Sequence, residues 1–218
     1  VVGATLRDIP GYLAVVPGLP ISGLKDLKGK RVALAKGTAN HLAFNSALRS
    51  QGMTEKDVRL VNLDSQAAMA ALASRHIDAI WGPSNILTLK AKGLADIAVD
   101  AVQLPGGAGK FQAVLLGRGE FIDQYPQVTR RFIKVNDQAA AWLRTPANRA
   151  EYTRIFSEIS GYPADVDPLK GQDFAQLFAT TLDDGIIRPL PDSVDLTHEL
   201  RLIRRGFAVE EWIWKLCV

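Results

Sequence analysis

The stretch RVALAKGTANHLAFNSALRSQG, residues 31–52, contains a strand, a glycine turn and a helix in direct succession. Residues 31–35 are a short apolar run after a basic turn, which is typical of a buried strand. Over residues 39–50 the apolar side chains recur at helical spacing, and Gly52 is a typical helix stop. The stretch therefore predicts a strand and a helix joined by a tight turn at residues 36–38.

Two further strand–helix units follow the same order along the chain. Ser65 is a candidate N-cap for an alanine-rich helix at residues 66–75, and Pro83 opens a helix that runs to Lys92. The strands of these units are predicted at residues 58–63 and 77–81, and a further strand follows at residues 97–99. Strands that alternate with helices of this length predict an α/β fold with a mostly parallel sheet.

The flanking regions have a different pattern. Short apolar runs predict strands at residues 1–6, 12–16 and 111–116. Joints rich in Pro and Gly, at residues 17–20 and 105–109, bracket the strand–helix units. The chain then becomes helical, with Pro126 at a first helical position and an apolar stripe of Val128, Phe132, Val135, Ala139 and Trp142. Later helices are predicted at residues 147–160, 168–184 and 196–205.

The composition excludes several classes of protein. The chain has 218 residues, with 26 Lys and Arg against 23 Asp and Glu, and this net charge of +3 is too even for an obligate nucleic-acid binder. No apolar stretch approaches the roughly 20 residues that a membrane-spanning helix needs. A single cysteine, Cys217, excludes a disulfide framework and a cysteine-based zinc site.

Residues 36–40, Lys-Gly-Thr-Ala-Asn, join a predicted strand to a predicted helix. A helix N-terminus carries unpaired N–H groups and a partial positive charge, so it is able to hold an anion. Gly37 permits the turn and a close ligand approach, and the Thr38 hydroxyl adds a donor. In open α/β sheets ligands bind at the carboxyl ends of strands, where this loop is predicted to lie. The alternative is that Thr38 or Asn40 only caps the helix.

Residues 80–85, Ile-Trp-Gly-Pro-Ser-Asn, form a second strand end of the same kind. Trp81 is expected to face the space between two lobes. The alternative is that Trp81 packs in the core, which is the commoner fate of a tryptophan.

The chain has no recognisable catalytic constellation. His41, His76 and His198 lack a partner at metal-binding spacing, so neither a metal site nor a cofactor is expected. His41 is placed to hydrogen-bond a ligand, with a surface or capping role as the alternative. There is no Gly-x-Ser-x-Gly elbow, and Cys217 has only Lys215 nearby to activate it as a nucleophile.

The run ISGLKDLKGKRVALAKGT, residues 21–38, resembles the solute-binding proteins of ABC importers that serve aliphatic sulfonates, nitrate and taurine. It is similar to the "dLkGKrVa-x-x-kGs/t" pattern of that group, with Thr38 at the hydroxyl position. Segments at residues 58–72, 77–83 and 121–142 resemble further segments of the group in the same order. The similarity spans nearly the whole chain.

The resemblance implies an α/β fold, a two-lobed type II periplasmic-binding-protein clamshell with trailing helices. Residues 21–107 correspond to the second lobe, and residues 1–20 and 108–218 to the first lobe and the C-terminal helices. Family members begin with a further strand-helix-strand-helix stretch, so the first lobe is expected to be incomplete.

The resemblance also implies a function without catalysis. A small organic or inorganic anion of the sulfonate, taurine or nitrate class binds in the inter-lobe cleft and is delivered to an ABC permease. The implied ligand residues are Gly37, Thr38, Ala39 and Asn40, with Trp81, Gly82 and Pro83 opposite them. The implied location is periplasmic, or extracellular with a lipid anchor, and membrane contact is expected only through the permease or an anchor on the missing N-terminus.

Two other classes of function remain open on this scaffold, because fold alone does not decide function. One is an enzyme of the pyrimidine-precursor synthase or desulfinase type, which the position of Cys217 at the end of the chain disfavours. The other is a ligand-sensing regulatory domain, which needs an attached helix-turn-helix that these residues do not contain.

Overall fold

The computed structural model of the chain describes residues 1–160, 169 and 172–214. Its strands are β1 (Gly3–Pro10), β2 (Tyr12–Val15), β3 (Arg31–Leu34), β4 (Arg59–Asn62), β5 (Ala79–Gly82), β6 (Asp96–Asp100) and β7 (Lys110–Leu115). Its helices are α1 (Ala39–Ser50), α2 (Ser65–Ala73), α3 (Leu87–Ala91), α4 (Gly119–Gln124), α5 (Pro126–Arg144), α6 (Arg149–Ser160), α7 (Phe174–Leu177), α8 (Asp184–Ile187) and α9 (Leu190–Glu199). Short 3₁₀ helices connect several of these elements, among them Leu24–Leu27, Glu55–Asp57 and Ser84–Ile86.

The predicted alternation of strands and helices is confirmed, with two local corrections. Helix α1 has the predicted bounds. Helix α2 is capped by Asp64 and not by Ser65, because the Asp64 carboxylate accepts the Ala67 N–H at 2.9 Å. The helix expected to begin at Pro83 begins instead as the 3₁₀ helix Ser84–Ile86, with Pro83 as its N-cap, and continues as α3.

Contacts between residues divide the described chain into two compact units. Unit 1 contains Val1–Asp8, Gln112–Phe156 and the described part of 171–218, and unit 2 contains Ile9–Phe111 and the described part of 157–170. The chain therefore passes between units after Asp8 and after Phe111. The second crossing lies close to the expected joint at residues 105–109, whereas the first precedes the expected joint at residues 17–20.

The first crossing comes earlier because β2 lies in the middle of the unit 2 sheet. Among the described residues five strands form this sheet, in the order β4-β3-β5-β2-β6. Strand β3 is parallel to β4 and β5, and β2 is antiparallel to β5 and β6. The strands of the repeated strand–helix units therefore share one direction, as predicted, and β2 runs against them.

Both faces of the unit 2 sheet are covered, as expected for parallel strands with helical connections. Alternate residues of β2 point to opposite faces, so Leu13 and Val15 belong to one apolar cluster while Tyr12 and Ala14 belong to the other. Helix α1 closes the first cluster, and α2 and α3 close the second. The apolar core therefore lies on both faces of the sheet, and the connecting loops lie at the two ends of the strands.

Arg31 and Asp78 hold the amino ends of β3 and β5 together. The Arg31 guanidinium donates to Asp78 Oδ1 at 2.7 Å, and the Arg31 backbone N–H donates to Asp78 Oδ2 at 2.8 Å. The Asp78 N–H donates in return to the Arg31 carbonyl oxygen at 2.9 Å. These two residues stand in separate segments of the sequence that resemble the importer group, and the sheet brings them together.

Trp81 is the largest side chain of the unit 2 core and is 1% exposed. Its ring lies 5.5 Å from the Phe44 ring, centroid to centroid, at an angle of 44°. A Cβ atom at Gly11 would lie 2.3 Å from Trp81 Cζ2, so only glycine fits beneath the indole at that position. The Gly11 backbone is fixed as well, because its N–H donates to Gly109 O and its carbonyl accepts the Ala101 N–H.

Unit 1 contains a two-stranded sheet of β1 and β7 among its described residues. Arg7, on β1, makes a bidentate ion pair with Asp183 at 2.8 and 2.9 Å and also donates to Ala179 O. The Ala4 N–H donates to Thr180 O at 3.2 Å, so residues 179–183 are hydrogen-bonded along β1.

These contacts explain why the long helix expected at residues 168–184 is wrong over its described part. Helix α7 ends at Leu177, and the following residues bind β1 instead of continuing the helix. The helix expected at residues 196–205 is displaced to α9, with Pro191 in its first turn and Arg201 in the left-handed region, at φ 57°, beyond its end. Position 168 and Cys217 lie outside the described residues.

Helix α5 begins at Pro126 as predicted, but its apolar stripe is not covered. Val128, Phe132 and Val135 are 51%, 59% and 61% exposed. A neighbouring side of the helix is packed, since Thr129 and Ala140 are buried. Within the described residues this stripe therefore has no covering element.

We expect Gly11→Ala to destabilise the chain by about 1–3 kcal/mol, the usual cost of forcing extra carbon into a packed core. The new methyl group would overlap the Trp81 ring. Urea unfolding measures the loss, and Gly23→Ala is the control because a Cβ at Gly23 meets nothing within 4 Å. Equal stability of both variants would contradict this packing. Trp81→Phe in the Gly11→Ala background should restore part of the lost stability, because the smaller ring leaves room for the methyl group.

We expect Asp78→Asn to weaken folding at pH 7 by roughly 1 kcal/mol, the net value of a hydrogen bond in a partly solvated site. The donated Arg31 hydrogen bond, acting against burial, holds the pKa of the Asp78 carboxyl below its usual 3.8. A depressed folded-state pKa gives stability that is present above about pH 4 and lost as the pH falls through the folded value.

Urea unfolding at pH 7, 5 and 3.5 tests this pH dependence. The parent should lose more stability between pH 5 and 3.5 than Asp78→Asn does. Asp96→Asn, at the exposed start of β6, is the control and should follow the parent. Parallel pH curves for the parent and Asp78→Asn would show that the ion pair contributes nothing.

Candidate functional site

Three loops lie side by side at one edge of the unit 2 sheet. Strand β3 is parallel to its neighbours β4 and β5, so the loops after these strands leave from the same edge. They contain residues 35–38, 63–64 and 83–86. The expectation that Trp81, Gly82 and Pro83 stand opposite the Gly37 loop is corrected here, because adjacent parallel strands place the two loops next to each other.

Side-chain amides tie neighbouring loops together at this edge. The Lys36 N–H donates to Asn62 Oδ1 at 2.9 Å, which connects the end of β3 to the end of β4. Asn85 Nδ2 donates to Ser65 Oγ, which connects the loop after β5 to the start of α2. Hydrogen bonds therefore connect neighbouring loops at this edge, so the loops are not independent of one another.

Thr38 is the N-cap of α1, with φ −103° and ψ 167°. Its hydroxyl donates to Ala35 O at 2.8 Å and accepts the His41 N–H at 3.4 Å. The capping alternative is therefore confirmed for Thr38. The hydroxyl proton already has an acceptor in the turn, so Thr38 is not the free donor that the sequence suggested.

Gly37 makes the turn that precedes the cap. Its φ of 77° lies in the left-handed region, which glycine adopts without strain. Its N–H does not face outward, because it donates to His41 Nδ1 at 3.2 Å. Gly37 therefore shapes the loop, and its own donor is occupied.

The free donors at this helix end are the backbone N–H groups of Ala39 and Asn40. Neither has a hydrogen-bond partner among the described residues, as expected for the first turn of a helix. The first turn of α1 contains no acidic residue, and Lys36 precedes it. Asn40 Oδ1 is buried and likewise has no partner in the described chain. Two unpaired N–H groups at a positive helix end are able to donate hydrogen bonds to an anion.

Behind this turn lies a buried polar cluster that the sequence did not predict. His41 and Asn45 are 2% and 3% exposed, so a surface role for His41 is wrong. His41 Nε2 lies 2.8 Å from Glu55 Oε2, and Asn45 Nδ2 donates to the same oxygen at 3.4 Å. Burial raises the pKa of Glu55, but the hydrogen bonds from His41 and Asn45 outweigh it and leave the pKa below its usual value. The helical i, i+4 spacing of His41 and Asn45 was the one available signal.

The second strand end is largely packed within unit 2. Trp81 lies in the core, which was the alternative for this residue, and its Nε1 has no hydrogen-bond partner in the described chain. Gly82 is buried in β5 opposite Tyr12, and a Cβ there would lie 3.4 Å from Ile86. Pro83 is half-buried at the start of the 3₁₀ helix Ser84–Ile86.

In the described part of the chain no group of three or more His, Cys, Asp or Glu side chains is arranged to hold a metal ion. Likewise, none of the described helices combines the length and the apolar character that crossing a membrane requires.

Known proteins share this architecture. The taurine-binding periplasmic protein of Escherichia coli K12 is 29% identical over 161 residues, which cover 69% of this chain and 48% of that protein. A periplasmic sulfonate-binding protein from Methylobacillus flagellatus KT superposes with a TM-score of 0.84 at 25% identity, covering 98% of this chain and 65% of that one. The chain spans about half the length of the curated relatives it matches.

An enzyme has the same fold. The desulfurization enzyme DszB superposes with a TM-score of 0.67 at 18% identity, over 98% of this chain and 75% of that one. At this identity the likeness concerns the fold alone.

The family assignment rests on the match to a family model. The model of the family described as NMT1/THI5 like matches residues 1–149, which include the whole five-stranded sheet and the loop at the start of α1. The chain therefore belongs to the NMT1/THI5-like family.

Proposed function

We propose that this chain binds a small sulfonate-type anion at the start of α1 and acts as the ligand-binding component of an ABC importer. The observation that carries the proposal is the pair of unpartnered N–H groups of Ala39 and Asn40 at the carboxyl edge of the sheet. Similarity to the taurine-binding and sulfonate-binding proteins supports the same ligand class.

A sulfonate suits this site for physical reasons. Its three oxygens share one negative charge, so two backbone N–H groups can each reach a different oxygen. A strong acid remains ionised at any physiological pH, and the helix end favours its charge without a buried arginine. Nitrate has the same charge and three oxygens and is the second ligand of the proposed class.

The proposed role is capture and delivery, without chemical change. The polar groups at this edge donate and accept hydrogen bonds, and capture of an anion requires only such contacts. The partner is then a permease, the location is the periplasm, and contact with the membrane is made through that permease. The likeness to DszB concerns the fold only, so it does not favour an enzyme.

We expect Ala39→Pro to weaken sulfonate binding by about 10- to 100-fold, since a hydrogen bond to a charged group contributes about 1.5–3 kcal/mol. Ala39 is the first residue of α1, where proline is tolerated and removes one free N–H. Thr38 already has the extended backbone that precedes a proline, so the helix itself should remain intact.

Isothermal titration with taurine, ethanesulfonate and nitrate measures this effect, with acetate as a comparison anion. Ala39→Gly is the control, because it keeps the N–H group and should keep the parent affinity within about threefold. Unchanged affinity of Ala39→Pro would place the ligand elsewhere. Conversion of any of these anions during long incubation, seen by mass spectrometry, would overturn the non-catalytic role.

A further inference from the structure

His41 makes polar contacts on both sides of its ring, although it is almost completely buried. Its Nδ1 lies 3.2 Å from the Gly37 backbone nitrogen, and its Nε2 lies 2.8 Å from Glu55 Oε2. Buried imidazoles with two such contacts have a fixed orientation, because a rotation of the ring would break both. The ring therefore bridges the turn before α1 and the 3₁₀ helix Glu55–Asp57.

The donor at Gly37 determines where the ring proton is. A backbone N–H is only a donor, so Nδ1 must accept and carries no proton. The proton of the neutral ring is then on Nε2, which donates it to Glu55 Oε2. Asn45 Nδ2 donates to the same carboxylate oxygen and to the His41 carbonyl oxygen at 3.1 Å, which holds the acceptor in place.

This arrangement decides which donors of the turn stay free. The Lys36 N–H is bound to Asn62, the Gly37 N–H to His41, and the Thr38 hydroxyl to Ala35. Each of these three anchors fixes one peptide or side chain of the turn. The N–H groups of Ala39 and Asn40 are left without partners in the described chain.

We infer that His41 is a positioning residue for the anion site. It fixes the turn before α1 by accepting the Gly37 N–H on Nδ1, which carries no proton. Without that acceptor the Gly37 peptide is free to rotate, and the Ala39 and Asn40 donors lose their common direction. The inference rests on the proposed function for its ligand, but its hydrogen-bond part stands without any ligand.

Two variants separate the contacts of the ring. His41→Asn places an amide oxygen near the position of Nδ1, so it is able to accept the Gly37 N–H while it loses the Glu55 contact. His41→Gln reaches the position of Nε2, so it keeps a donor for Glu55 and loses the acceptor for Gly37. Both variants should lower the urea unfolding midpoint. His76→Asn, at an exposed histidine, is the control and should change neither stability nor binding.

The decisive readout is the order of the two affinities for ethanesulfonate in isothermal titration. We expect His41→Gln to bind at least about tenfold more weakly than His41→Asn, as for the loss of one anchored hydrogen bond. If His41 has only a structural role, the two affinities fall together in step with stability, and that result overturns the inference.

A ligand-free measurement keeps this test separate from the proposed function. ¹⁵N NMR should show a proton on His41 Nε2 and none on Nδ1. The Gly37 amide should exchange slowly with solvent in the parent and in His41→Asn, and rapidly in His41→Gln. A proton on Nδ1, or equal Gly37 exchange in both variants, refutes the inference even where Ala39→Pro supports the anion site. If Ala39→Pro leaves the affinity unchanged while the Nε2 proton and the Gly37 exchange are as expected, the proposed function is refuted and only the hydrogen bond between Gly37 and His41 stands.

Discussion

The parallel pairing of β3 with β4 on one side and β5 on the other is the constraint on which unit 2 depends. It brings three strand-to-helix loops to one edge of the sheet, where helix N-termini and amide side chains meet. The opposite edge is held by Arg31 and Asp78, which join the starts of β3 and β5 through backbone and side-chain hydrogen bonds. Loss of this register would separate the loops and the site with them.

At the candidate site some polar groups are hydrogen-bonded within the protein, and others have no partner in the described chain. Most polar groups in the turn at residues 35–38 are hydrogen-bonded within the protein, to Asn62, to His41 and within the turn itself. The first turn of a helix is the exception, because its N–H groups have no partner in the helix itself. The hydrogen-bonded groups of the turn therefore hold the free N–H groups of the helix in place.

Much of unit 2 could be predicted from the sequence. Helix α1 has the bounds that its apolar spacing and Gly52 indicate, because local periodicity and a local stop signal determine a helix of this length. The turn before it and its suitability for an anion follow from the Gly-Thr pair between a strand and a helix. The late helices were predicted poorly, because residues 179–183 bind Arg7 and the β1 backbone, which are distant in the sequence.

The sequence by itself determined the strand–helix order, the family resemblance and the location of the Gly-Thr turn before α1, since each depends on residues that are near neighbours in the chain. The tertiary structure alone decided that β2 lies in the middle of the sheet, that Trp81 fills the space over Gly11, and that the Gly37 N–H is bound by His41 while those of Ala39 and Asn40 are free. The physical reason is that a hydrogen-bond partner or a packing neighbour is chosen by distance in space. Contacts such as Lys36 with Asn62, or His41 with Glu55, have no signature in the local sequence.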